Sequence, residues 1–383
     1  MKTSKERNQT VVIYIKDGPE SSSAHYRILQ YVSRMTSPNV KVRLRVLAPG
    51  FIWRSRYDAV GRSGTLYPLI AKLCYICVVS FRGVVLLSWD ALIRRDVVIV
   101  LRSVLPKLFN PLFQVIYSAT LRRAGTVVWD LDDDLSASGE ISAGEARLLS
   151  RSANYVVVTH EELLRTLPRP HGRVQILNTT DGDFSRRLVE GAEKDRIRAL
   201  ETELRIVWIG SSSGLRDLES ILPQLDRAAQ RIRSELGKRV VLRVVCNLPL
   251  SPVDVQHLNV DNVRWARSTA VDIAMSSHVG VMPLLPSKFA RGKGAFKLIQ
   301  YMAAGLPVIA SQVGHNSRVV RDGVGGWLVA DGDVVGWEER VVALARNSGL
   351  WVDASREARQ EWVDRFDFEE AQRFWMEVVR ASA

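Results

Sequence analysis

The sequence predicts an α/β protein made of two mostly parallel sheets with helices on both faces, and three observations predict it. Strand-like and helix-like runs alternate along the chain, as they do where crossover helices join parallel strands. The alternation halts at 183–203, a stretch rich in Arg, Glu and Asp and poor in strand formers, and then resumes. A chain of 383 residues with 46% hydrophobic content is also long and apolar enough for two cores.

In the first half, strands are predicted at 10–16, 40–47, 97–101, 126–131, 155–159 and 174–177. Helices fall between them, around 24–35, 67–93, 106–123, 142–152 and 161–167. The stretch 183–203 reads as the interdomain connection. The second half predicts strands at 204–209, 240–246, 262–265, 279–283, 308–310 and 326–329. Its helices lie near 215–236, 270–275, 295–304, 317–321, 334–346 and 351–363. A last helix, 368–381, carries Phe374, Trp375, Val378 and Val379 at helical spacing. The expected domains are therefore 1–185 and 204–366, with 367–383 as a terminal helix. Ligands of such sheets sit beyond the carboxyl ends of the strands.

Charge is unevenly placed. Residues 1–125 hold 20 Lys plus Arg against 6 Asp plus Glu, a net of +14, while the rest nets −2. A basic first third attracts phosphorylated acceptors or an anionic membrane surface. Nucleic acid is the weaker option and is not expected as a partner, because no recognition helix, zinc finger or RNP pattern is present. The apolar run 66–81 contains Lys72 and falls short of the roughly 20 residues that span hydrocarbon. It reads as a buried or interfacial helix flanked by Arg54, Arg56, Arg62, Arg82, Arg94 and Arg95. Cys74, Cys77 and Cys246 are too few for a disulfide framework, and Cys74-Tyr75-Ile76-Cys77 lacks the setting of a redox or zinc motif. These are read as structural thiols. The polar start, MKTSKERNQT, shows no apolar leader. The expected location is cytoplasmic, with a peripheral place at the inner face of a membrane as an extension of that expectation.

One stretch carries most of the chemistry: RGKGAFKLIQYMAAGLPVIASQVG, 291–314. A helix beginning near Gly294 would gather Lys293, Lys297, Gln300 and Tyr301 on a polar stripe and Phe296, Ile299, Met302 and Ala303 on the opposite side. Gly305 occupies a left-handed C-terminal position, Pro307 blocks continuation, and Val308-Ile309-Ala310 follows as a strand. The positive end of the helix then faces the same way as Arg291, Lys293 and Lys297. That corner suits a phosphate or diphosphate, although a solvated basic helix end fits the composition equally well.

The run KLIQYMAAGLPVIASQVGHNSRVVRDGVGGWLV, preceded by ARGKGAF, resembles the donor-nucleotide region of retaining glycosyltransferases of the GT-B fold, specifically the large family 4 group. The resemblance implies two Rossmann-like domains facing each other across a cleft, the second binding a nucleotide sugar and the first the acceptor. It also implies that the C-terminal helix crosses back to the first domain. The nucleotide-sugar site would comprise Gly210, Ser211, Ser212 and Arg216 after the first strand of domain two, with Phe296, Gln300, Gly314, His315 and Asn316. In the family that loop carries an Arg and a Lys for the diphosphate. Here only Arg216 is near, so the role shifts to Arg291, Lys293 and Lys297, the expected catalytic cations. The family's two glutamates, eight apart, would fall at Gly292 and Gln300, so neither carboxylate is present. A subgroup with the wording RGK-x-x-FK-LIQYMA is similar, with Lys in place of the acidic residue.

On the acceptor side, the resemblance points to Arg27 and Tyr26 at the start of the first helix, and to Asp132 and Asp133 where the strand GTVVW ends. His160 ends another strand; His278 is read as structural. No metal or other cofactor is expected. The implied reaction moves a hexose from a nucleotide diphosphate sugar to a hydroxyl of a glycan or lipid-linked saccharide. A non-catalytic nucleotide-sugar-binding or partner protein, and a nucleotide-sugar epimerase of the same fold, are the alternatives.

Overall fold

The computed structural model describes residues 9–59, 66–104, 111–185, 189–251 and 254–381. Arg62 and residues 106–110 of an expected helix lie outside them. The chain forms two compact units. One comprises Met1–Thr179, Gly292–Gly294 and Glu369–Ala383; the other comprises Thr180–Arg291 and Ala295–Phe368.

The sheet of the first unit contains β1 (Gln9–Ile15), β2 (Val40–Val46), β3 (Arg95–Leu101), β4 (Ala124–Leu131), β5 (Tyr155–Val158) and β6 (Arg173–Ile176). Their order is β2-β1-β3-β4-β5-β6, all parallel. Val11–Ile13 in β1 and Val97–Val100 in β3 are fully buried without alternation. Such continuous apolar runs are what a parallel sheet covered on both faces requires. All but the first residue of the helix Phe368–Arg380 belongs to this unit: Gln9 Nε2 donates to the Val379 carbonyl at 2.7 Å, and Phe374 meets Tyr155 edge-on.

The second sheet contains β7 (Glu203–Ile209), β8 (Arg239–Cys246), β9 (Asn259–Arg264), β10 (Val279–Met282), β11 (Val308–Ser311) and β12 (Gly326–Val329). Its order is β12-β11-β10-β7-β8-β9, again all parallel. Polar composition misleads at 183–203: the helix Val189–Leu200 belongs to the second unit rather than to a connection. Arg196 is buried and donates to the carbonyls of Ala304 (3.1 Å) and Gly305 (3.4 Å), closing the end of the helix Phe296–Ala303. An Arg can thus be a core residue where it caps carbonyls.

Two expected helices are broken. The segment 24–35 divides into Ser22–Arg27, a 3-10 turn at Leu29–Tyr31 and Val32–Met35, because Ile28 leaves helical geometry at φ −141°. The segment 215–236 divides into Leu215–Glu219 and Leu222–Leu236, with Pro223 in the first turn of the latter. By contrast Tyr67–Leu92 is one continuous helix of 26 residues. Within it the Ser80 hydroxyl donates to the Ile76 carbonyl at 2.6 Å.

Candidate functional site

Each sheet reverses its strand order once, between β1 and β3 and between β7 and β10. Loops leaving the two strands at such a point diverge, and ligands of α/β sheets bind there. Both reversals carry unusual backbone and clustered charge.

In the second unit β7 runs into Gly210-Ser211-Ser212-Ser213-Gly214. A Cβ on Gly210 would stand 2.4 Å from the Trp208 indole, so the tight turn needs glycine. Ser211 and Ser213 hydroxyls lie 2.8 Å apart. The Ser212 N–H, expected to face phosphate, instead donates to Asn247 Oδ1 at 2.8 Å. Arg216 is exposed on the five-residue helix Leu215–Glu219. The Leu285 N–H, after β10, donates to Asp217 Oδ1 at 3.1 Å and ties the two loops together.

Arg291 ends the short helix Lys288–Arg291 with its side chain exposed. The main helix starts at Phe296 rather than Gly294, headed by Ala295 in left-handed conformation (φ 54°). Lys297 Nζ lies 3.3 Å from Gln300 Oε1 and 5.0 Å from the centre of the Phe296 ring. Gln300 Nε2 donates to Asp181 Oδ2 at 2.7 Å, and Asp181 Oδ1 accepts from the Asp183 N–H. Gln300 is buried, and its amide bridges Lys297 and Asp181. Burial pushes the Asp181 carboxyl up to about 6, against the pull of Gln300 and, more weakly, of Lys297. Tyr301 lies on the packing side, not the polar stripe: its oxygen accepts from the Ile209 N–H at 2.7 Å, and its ring fills the space a Cβ on Gly280 would need.

Gly314 is left-handed (φ 55°), and a Cβ there would come 2.7 Å from Arg291 Cα, so this turn rests on the Arg291 backbone. His315 precedes the helix Asn316–Val319. Asn316 is buried and donates to the Ser311 carbonyl at 3.2 Å, a structural use of a residue expected at the donor. His278 is structural as read: Nδ1 accepts from the Arg205 N–H, Nε2 pairs with the Arg196 carbonyl, and burial lowers its pKa to about 3.

In the first unit the reversal is occupied by Arg102, directly after β3. It is one of two non-glycine residues with positive φ among those described, Ala295 being the other. Its φ of 60° is held by the Arg102 N–H donating to the Asp130 carbonyl (2.8 Å) and the Trp129 indole donating to the Arg102 carbonyl (2.8 Å). Strain of this kind persists only where surroundings over-determine it, and it concentrates at functional sites. The guanidinium donates to both oxygens of Glu140 (3.2 and 2.6 Å), to Asp132, and to Asp133 at 3.4 Å. Lys16 Nζ reaches Ser103 Oγ and stands 3.6 Å from Glu140, and Ser23 Oγ donates to Asp132. Among the described residues no three His, Cys, Asp or Glu side chains form a metal-holding group.

Lys293 belongs to this unit, with Gly292 and Gly294, rather than to the unit of Lys297. Its charge acts on Asp133, whose Oδ1 accepts from the Gly294 N–H at 3.4 Å. Burial and Asp132 nonetheless raise the Asp133 pKa. His160 Nδ1 accepts from the Leu163 N–H and caps the helix Glu161–Arg165, while burial lowers its pKa against a contact with the Gly292 backbone. Arg27 and Tyr26 are corrected from acceptor side to core. Arg27 is 2% exposed, forks onto Asp130 (3.0 and 2.5 Å) and donates to the Leu177 carbonyl and Thr179 hydroxyl. Tyr26 is buried beside it in sequence, its ring edge-on to His25.

Burial alone would raise Glu140, but Arg102 and Lys16 outweigh it and hold the carboxyl down to about 2. A depressed folded-state pKa means that this stabilisation is complete above the ordinary glutamate pKa of about 4.3 and disappears as pH falls through about 2. Glu140→Gln is therefore expected to be less stable than the parent at neutral pH and to show a flatter acid limb. Urea midpoints between pH 7 and pH 2 check this.

Residues 196–347 match the family model for glycosyl transferases group 1, and the loop at 210–216, Arg291, Lys297 and Gln300 all fall within that match. Apart from Gly292–Gly294, that matched stretch lies within the second unit. A phosphatidyl-myo-inositol mannosyltransferase of Mycobacterium leprae is 44% identical over 70 residues, 17% of this chain and 19% of that enzyme, so the shared stretch is about a fifth of the relative. Among solved structures, the Anabaena protein HepE in complex with UDP and glucose is similar at a TM-score of 0.60 and 13% identity, over 97% of this chain and all of that one. Sucrose-phosphate synthase of Thermosynechococcus elongatus is similar at 0.65 and 12% identity, covering 97% of this chain and 98% of its own. The shared fold is GT-B, with two parallel six-stranded sheets. Sequence reading passed over Arg102, Glu140, Asp181 and Asn247. Arg102 had a signal, since it directly follows the strand VVIVL and so stands at a carboxyl edge.

Proposed function

We propose that this glycosyltransferase moves a hexose from a nucleotide diphosphate sugar to a hydroxyl of a glycan or lipid-linked saccharide, with retention at the anomeric carbon. The observation that carries the reading is the coincidence, within residues 196–347, of the group 1 match and a strand-order reversal whose β10 leads into the segment that bears Arg291 and Lys297. The leaving nucleoside diphosphate gains negative charge as the glycosidic bond breaks. Cations fixed in advance stabilise that charge without reorganising. Lys297 is such a cation: Gln300 holds its ammonium, and buried Asp181 fixes the amide. UDP and glucose in HepE support the donor class.

The carboxylates of the first unit are proposed to orient the acceptor hydroxyl, with Arg102 holding Asp132 and Asp133 in place. A guanidinium already faces these aspartates, which supports a reaction without a metal. Position 292 cannot take the glutamate of related sequences, because a Cβ there would meet Asp134 Cβ at 2.4 Å. That observation favours, as second reading, a protein that binds the donor without turning it over. Incubation with UDP-, GDP- and ADP-sugars, with and without saccharide acceptors, separates the readings. Acceptor-dependent nucleotide release supports transfer, binding without release supports the second reading, and sugar conversion without acceptor identifies an epimerase.

A further inference from the structure

The helix Tyr67–Leu92 inverts the usual arrangement of a surface helix. Its inward stripe of Ala71, Tyr75, Val79, Gly83, Leu87 and Asp90 recurs every three or four residues, while Leu69, Ile70, Leu73, Phe81, Val85 and Trp89 are 49–71% exposed on the rest. Its most apolar window has mean hydropathy 2.0 and is only 22% buried. A contiguous exposed apolar face of this kind marks a site that something covers.

Three observations say what covers it. The helix exposes cations and no carboxylate. The helix's one carboxylate, Asp90, is fully buried and bound by Tyr14, Arg45 and Arg95 at 2.6–2.7 Å, while Lys72, Arg94, Arg122 and Arg123 are exposed. The two helices that pack against this one each expose a large apolar side chain too, Phe51 of Gly50–Ala59 and Val115 of Pro111–Arg123. Finally, the helix is pinned along its length. Tyr75 donates to Asp17, Arg82 to the Val46 carbonyl, and Thr120 to the Leu87 carbonyl. Spanning a bilayer would strip those bonds and expose Asp90 to hydrocarbon, so the helix can enter lipid only on its side. Tyr67 and Trp89, near its two ends, are the residue types favoured at the boundary between headgroups and acyl chains.

We propose that the outward face of Tyr67–Leu92 seats this protein on an anionic lipid bilayer, with the helix lying in the plane of the interface. The seat stands apart from the transfer reading and survives its failure.

The test is sedimentation of the full chain with phosphatidylcholine vesicles, with and without added phosphatidylglycerol. Pelleting with the anionic vesicles at low salt is expected, weakening as salt rises. The double variant Leu73→Glu/Phe81→Glu changes two exposed side chains, so its melting temperature should stay near the parent's. Its partitioning should fall by more than about tenfold. A polarity-sensitive maleimide on exposed Cys74 and Cys77, with Cys246 buried, should shift to the blue on vesicle addition. Recovery of the parent in the supernatant overturns the proposal, as does unchanged partitioning of a folded double variant. So does a vesicle-free dimer that the double variant splits, which would assign the face to a second copy.

Discussion

Replacing Lys297 with Met is expected to weaken donor-nucleotide binding by about 1.5–3 kcal/mol, the range of hydrogen bonds to charged groups, which is roughly tenfold to a hundredfold in affinity. Lys297 is half-buried at the second turn-forming position of its helix, its ammonium between Gln300 and the Phe296 ring. Met keeps most of the alkyl stem and removes the charge. Stability should therefore change little, and calorimetric titration against melting temperature separates lost ligand contact from damaged structure. Asp181→Asn is expected to act on the same readout more weakly, because it leaves the ammonium in place and disturbs only the group that positions it.

The largest effect on stability is expected at Arg27. Removing its side chain in Arg27→Ala leaves Asp130, fully buried, without its fork, and breaking a buried pair on one side costs about 3–5 kcal/mol. The Leu177 carbonyl and Thr179 hydroxyl lose a donor as well. Urea denaturation at pH 7 reads the loss. Burial already raises the Asp130 pKa, and without Arg27 the rise should be larger. A raised folded-state pKa removes stability as pH rises through it, so the deficit of the variant should shrink in acid. Arg27→Met with Asp130→Leu should recover much of the loss, since a well-packed apolar pair avoids the desolvation of two ions.

Much of the fold was legible because parallel strands leave plain marks. Val97-Val98-Ile99-Val100-Leu101 has no alternation and is buried on both sides, and Gly305 ends its helix at φ 65° as its place before Pro307 implies. The site was less legible. Nothing local shows that Gln300 finds Asp181, 119 residues away, or that Arg27 finds Asp130, 103 away. A helical wheel placed Tyr301 beside Lys297, yet the ring goes inward because Gly280 leaves room for it and the Ile209 N–H needs a partner. Left-handed geometry at Arg102 and Ala295 is a tertiary property, enforced by neighbours and unrelated to what either residue prefers.

Donor capture at the β7/β10 reversal is the claim on which the account stands. Hydrogen exchange of the full chain, with and without whichever of UDP, GDP or ADP raises its melting temperature, tests it most directly. Slowed exchange concentrated at 210–216 and 291–303 is the expected result. Protection confined to other segments, or none despite saturation, would contradict it.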